Sequence, residues 1–176
     1  MRIFIYVYNK ISLIYLTFFF TVVIKGIRHS GITVTNMEKS LIFYRDLLGL
    51  IVERNMNESG NHIDKMLSMK DVKVNTVKMS AKDKGPTMIE LLEFKSHPCE
   101  SNHSNISKIG SSHVAFTVDD LDKTYEKFIA ADVKFNAPPQ NSPDGYAKVT
   151  FCHDPDDTLI ELVQVLDPTI LEKTKN

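Results

Sequence analysis

A chain that writes one strand-into-helix signature twice is constrained to build one structural unit twice. His29-Ser30-Gly31-Ile32-Thr33-Val34 runs into Thr35-Asn36-Met37-Glu38-Lys39-Ser40. The pattern returns 84 residues later as His113-Val114-Ala115-Phe116-Thr117-Val118, followed by Asp119-Asp120-Leu121-Asp122-Lys123-Thr124. A second pair behaves alike: Thr87-Met88-Ile89-Glu90-Leu91-Leu92 recurs 71 residues on as Thr158-Leu159-Ile160-Glu161-Leu162-Val163. Each half opens on a strand carrying a His and closes on a strand carrying a Glu. Two His and two Glu form a metal-ligand set.

The 176 residues suffice for one ordinary domain or two small modules sharing a core. A net charge of −1 gives no electrostatic footprint for nucleic acid or an anionic membrane. Cys99 and Cys152 lie far apart without zinc-type spacing, and we read them as free thiols in a reducing compartment. Residues 1–26 differ from the rest as an apolar N-terminal extension. The charge-free run from Ile11 to Ile24 is shorter than the ~20 residues that span a bilayer, and no small-x-small cleavage site precedes Gly26. Signal peptide, membrane anchor and segment outside the folded domain are three open readings.

The repeat sets the expected elements. In the first module, residues 27–94, a strand spans 27–35 and a helix 37–48. Leu41, Tyr44, Leu47 and Leu48 fall on one helix face, with Asn36 as N-cap and Gly49 as the terminating residue. A strand over 50–54 breaks at 58–60, a helical turn covers 62–69, and strands at 72–79 and 87–94 flank a turn at 83–86. Residues 95–110 form a polar linker whose His97 and His103 face solvent. In the second module, residues 111–166, the order recurs: a strand at 112–118, then a helix at 121–131 with Leu121, Tyr125, Phe128 and Ile129 apolar. An extended piece at 133–135, a proline-rich loop at 138–145 and strands at 147–153 and 158–166 complete it. Residues 167–176 form a charged tail.

Strand parity decides where the four polar residues point. His29 shares a face with Gly31 and Thr33, and His113 with Ala115 and Thr117, leaving room for a cavity. Glu90 stands with Met88, Leu92 and Phe94, and Glu161 with Leu159, Val163 and Val165. A carboxylate on an apolar stripe is costly to bury without a compensating cation or donors. Lys and Arg cluster elsewhere in the sequence, so a divalent metal bound by His29, Glu90, His113 and Glu161 is the expected compensation. The alternative for each residue alone is a satisfied core His or an edge-strand ion-pair Glu; symmetry of placement favours the metal. Two imidazoles with two carboxylates suit Ni, Co, Mn or Fe, or an expanded Zn site. Thr33, Met88, Phe94 and Thr117 are candidate pocket residues; His153 beside Asp154 and His62 near Asp64 are weaker candidates.

These motifs resemble the vicinal oxygen chelate superfamily over residues 27–166. Ser40-Leu41-Ile42-Phe43-Tyr44-Arg45-Asp46-Leu47-Leu48-Gly49-Leu50 is similar to its first-helix signature. Asp154-Pro155-Asp156-Asp157-Thr158-Leu159-Ile160-Glu161-Leu162 is similar to its closing hairpin. The resemblance implies an α+β fold: two tandem βαβββ modules forming a cupped mixed sheet around a metal site, the glyoxalase/bleomycin resistance/dioxygenase fold. By position, His29, Glu90, His113 and Glu161 fall where glyoxalase I keeps its ligands. Glutathione-contacting Arg and Asn positions of bacterial glyoxalase I hold Thr33 and Phe94 here, a departure toward a smaller or more apolar substrate, or toward an acyl thioester.

The implied function is a metal-dependent lyase or isomerase, glyoxalase I-like, with Glu161 as base and Glu90 returning the proton. A methylmalonyl-CoA-type epimerase is the neighbouring alternative. Fe(II) extradiol dioxygenases ordinarily use two His and one carboxylate, so a fourth ligand argues against that rival. Non-catalytic drug-binding members lack the ligands altogether. A homodimer, a small-molecule substrate, no nucleic acid and a cytoplasmic location complete the expectation, with membrane association only if the N-terminal segment is an anchor.

Overall fold

The computed structural model describes residues 24–83, 85–99, 106–107 and 112–170. Most of the 1–26 extension, His103 in the linker and the tail beyond 170 lie outside them. No helix among the described residues is long and apolar enough to cross a membrane.

The first unit runs β1 (His29–Thr33), α1 (Met37–Leu41, continuing as a π-helix Ile42–Leu47), β2 (Ile51–Ser59), α2 (Asn61–Leu67), β3 (Lys73–Ser80) and β4 (Met88–Phe94). The second runs β5 (Val114–Thr117), α3 (Leu121–Ala130), β6 (Gln140–Asn141), β7 (Ala147–His153) and β8 (Leu159–Val165). Their sheets have the same plan, β1-β4-β3-β2 and β5-β8-β7-β6. In each, the opening strand pairs parallel with the closing strand. The duplicated βαβββ unit read from the repeat is therefore present, each copy as its own four-stranded mixed sheet.

Local chemistry explains the starts and stops. Asn36 and Asp120 cap α1 and α3 by accepting from the amides of Lys39 and Lys123. Gly49, at φ 78°, ends the first helix as expected, and Leu50 N–H reaches back to Tyr44 C=O at 3.0 Å. Between those ends the helix widens, with Leu48 N–H donating to Phe43 C=O five residues back. Met37, Ser40, Phe43 and Tyr44 are its buried residues, and the expected Leu41, Leu47 and Leu48 pack half-buried against the same core. On α3, Ile129 is exposed rather than apolar-facing.

Strand β2 runs to Ser59, well past the expected end at 54. It is an edge strand with almost every side chain exposed, so no hydrophobic alternation marks it. A bulge between Val52 and Arg54 interrupts its register, and further along the strand Asn75 Nδ2 donates to Asn55 and Asn57. The loop expected at 138–145 contains the short β6, while Phe135 makes only an isolated bridge to Cys152.

One core joins both units. Ile32, Val34, Val77 and Leu91 of the first sheet cluster with Phe43 and Tyr44, and with Leu121, Phe128, Ile160 and Leu162 of the second. Phe43 and Phe128 meet edge-on at 5.9 Å. Tyr44 donates to Asp154 at 2.8 Å, and Thr35 binds Asp156 through its amide and hydroxyl. Each sheet thus turns its helix-covered face to the shared core and keeps the alternate face outside it.

Candidate functional site

Both His–Glu pairs lie on those alternate faces. In the parallel β1–β4 pair, Gly31 stands opposite Glu90 and His29 opposite Met88, as parity requires. His29 Nε2 lies 2.9 Å from Glu90 Oε2. In the second unit Ala115 stands opposite Glu161, and His113 Nε2 lies 3.2 Å from Glu161 Oε2. The small residues Gly31 and Ala115 leave each imidazole room to lean over its neighbouring strand. A Cβ added at Gly31 would meet Leu92 Cδ1 at 3.2 Å.

The structure brings the four residues together in twos. Among the described residues, no group of three or more His, Cys, Asp and Glu converges as a metal-holding cluster. The reason is the shared core: each pair occupies the sheet face turned away from it. Each pair nonetheless points an imidazole nitrogen and a carboxylate oxygen at one another, donors that suit half of a divalent-ion site. The donor chemistry fits; one half-site holds two of the four ligands.

The pairs differ in one neighbour. Lys78 on β3 stands opposite Glu90, and its Nζ lies 3.0 Å from Glu90 Oε1. The expectation that few basic residues are at hand for these carboxylates, Lys and Arg clustering elsewhere, is corrected for Glu90: the β3–β4 hairpin delivers a lysine from 12 residues away in sequence. Glu90, 11 % exposed, is held by His29 and Lys78 together. Glu161, 21 % exposed, has Phe151 at the equivalent cross-strand place. The Phe151 ring packs edge-on against His113 at 5.4 Å.

Of the candidate pocket residues, Thr33 and Thr117 are exposed and Met88 half-buried on the His–Glu faces. Phe94 does something else. It packs with Ile63, Val72 and Val74 beneath α2, so it closes a small satellite core. His62 is exposed at the start of α2, and nearby Asp64 accepts from the amides of Asp71 and Val72, tying that helix to β3. His97 is half-buried and bonded to Ser96 Oγ. His153 Nε2 meets Asn136 Oδ1 at 2.7 Å and its Nδ1 lies 2.7 Å from Asp157, so it braces the β7–β8 turn.

A cavity of about 310 Å³ opens elsewhere, between the ends of the two main helices and that turn, lined by Lys39, Ile42, Phe43, Leu47, Val133 and His153. It contains none of the repeated His or Glu residues.

A family model described as the glyoxalase/bleomycin resistance protein/dioxygenase superfamily matches residues 26–162. The chain belongs to this superfamily. The YraH protein of Bacillus subtilis (strain 168), itself uncharacterized, is 28 % identical over 137 residues, covering 76 % of this chain and 93 % of YraH. A glyoxalase family protein from Bacillus cereus superposes with a TM-score of 0.76 at 19 % identity, covering 84 % of this chain and 99 % of its own. The trypanothione-dependent glyoxalase I of Leishmania major gives 0.57 at 22 % identity, covering 86 % and 94 %. At such identities the structural likeness establishes the superfamily fold, and its two βαβββ units are the ones described above.

Proposed function

We propose that this superfamily member is a lyase or isomerase of the glyoxalase I kind, acting by proton transfer at carbon next to a carbonyl. Supporting this reading is one observation above all: both halves set a His nitrogen against a Glu oxygen, at 2.9 and 3.2 Å, at matching places in the repeat. His29, Glu90, His113 and Glu161 would hold a divalent ion, Ni, Co, Zn, Mn or Fe. Because each pair sits on a face turned from the common core, a second copy of the chain completes the set. The first half of one copy meets the second half of the other, giving a homodimer with two equivalent sites.

When bound, the ion supplies Lewis-acid polarisation of the substrate carbonyl and acidifies the neighbouring C–H. Glu161 takes that proton. It is the more exposed carboxylate, with Phe151 rather than a lysine on the strand opposite, and so the freer to move. Glu90, gripped from both sides, is the firmer of the two and returns the proton from the opposite side. Each carboxylate must come within about 3 Å of the reacting carbon. Both cysteines are free, in keeping with a reducing, cytoplasmic setting.

Glu161→Gln tests the assignment. An amide oxygen still coordinates but accepts no proton, so with metal restored by excess ion turnover should fall about 10²–10⁴-fold. Weaker affinity alone would be rescued by mass action. Hemithioacetal and acyl-CoA epimerase substrates, run in deuterated solvent, separate the lyase from the epimerase. Normal turnover by the metal-saturated variant, or a requirement for O₂, would sink the proposal.

A further inference from the structure

We infer that the site selects a substrate bearing an anionic group, such as a carboxylate, beside its metal-chelating oxygens, and that Lys78 and Arg54 recognise it. The inference deepens the proposed function and rests on it.

Arg54, Lys78, Glu90 and Gly31 lie in register across β2, β3, β4 and β1, so their side chains line one row on the His29 face. Lys78 Nζ holds Glu90 Oε1 at 3.0 Å with its side chain 22 % exposed, so one bond leaves further ammonium protons for a second acceptor. Arg54 is exposed beside it. Two acids flank the row, and each has a hydroxyl of its own: Glu53 accepts from Ser80 at 2.6 Å and Glu58 from Thr76 at 3.0 Å. In a completed site, Glu90 and Glu161 would balance a divalent ion, leaving Lys78 and Arg54 as the charge nearest the substrate. Among the described residues the second half sets no cation at the matching place: Phe151 occupies the place of Lys78, with Ala115, Val149 and Val163 on the same face. One wall sets two cations beside Glu90, and the place opposite Glu161 on the other is apolar. Charge-assisted bonds to an anion on the cationic wall are about twice as strong as neutral ones.

Two chelators of similar length isolate the effect. Butyrohydroxamate and succinohydroxamate present the same hydroxamate to a metal, and only the second carries a carboxylate tail. Binding to nickel-loaded protein is measured by calorimetry, with nickel content checked for each variant. Wild type should favour succinohydroxamate by about tenfold or more. Lys78→Met should erase most of that preference while butyrohydroxamate still binds, and Lys78→Arg should keep it. Arg54→Met, which removes no contact to Glu90, should reduce it too, and carries the test if Lys78→Met loses nickel. Equal binding of the two by wild type, or a preference that survives both Met variants, overturns the inference alone. Failure of both hydroxamates on nickel-loaded wild type takes down the chelation reading, and this inference with it.

Discussion

Tyr44→Phe removes one hydroxyl and leaves the packing of the ring in place. That hydroxyl is the donor to Asp154 Oδ2 at 2.8 Å, across 110 residues of sequence, with Tyr44 wholly buried and Asp154 5 % exposed. The other carboxylate oxygen is already served by the amides of Asp156 and Thr158. The variant therefore strands one oxygen of a buried carboxylate, and hydrogen bonds to charged groups are worth about 1.5–3 kcal/mol. We expect a loss of about 2 kcal/mol at neutral pH, lowering the urea midpoint by about 1 M for an m-value of about 2 kcal/mol/M. Acid should shrink the loss. Burial raises the Asp154 pKa, and burial and the Asp154 charge hold the Tyr44 pKa far above neutrality. Acidification thus turns the charged acceptor neutral while the donor stays protonated, and a neutral bond is worth only about 1 kcal/mol. A loss below about 0.5 kcal/mol at pH 7, or one that grows on acidification, would refute the reasoning.

Other outcomes follow from the same contacts. Because the folded pKa of Asp154 is raised, the folded state binds more protons there than the unfolded chain, so this group's contribution becomes more favourable as pH falls through that window. The stability of wild type relative to Asp154→Asn should accordingly rise between pH 7 and 4; a flat or falling difference in urea unfolding contradicts it. Burial pushes the Cys152 thiol up to about 12, whereas Cys99 is only half-buried. A thiol-disulfide reagent at pH 8 should label Cys99 in the native protein and Cys152 only on unfolding, as peptide mapping would show. Gly49→Ala, forced to φ 78°, should cost about 1 kcal/mol by the same unfolding assay.

What the sequence made legible was whatever repeats or alternates. The His and Glu positions, the faces they share with Gly31 and Ala115, the cap at Asn36 and the stop at Gly49 all follow from local pattern. Lys78 did not, because its place opposite Glu90 depends on hairpin register, and a slip of one residue would set Val77 or Met79 opposite Glu90 instead. Phe94 sits on the expected face, yet α2 folds over it, a tertiary event invisible in strand parity. The polar second half of β2 carried no periodic signal. Separation of the pairs was equally hidden, since it depends on which sheet faces share Phe43 and Phe128.

Metal content of mixed variants tests the central claim, one site built from the first half of one chain and the second half of another. His29→Ala and His113→Ala proteins should each lose tightly bound metal after dialysis. In a dimer formed from one of each, one site regains all four ligands and the other loses both histidines. Unfolding and refolding the two together at equal amounts should restore about a quarter of the wild-type metal, measured by mass spectrometry. A mixture as empty as its components would contradict the shared site, and single variants that keep full metal would contradict the ligand set itself.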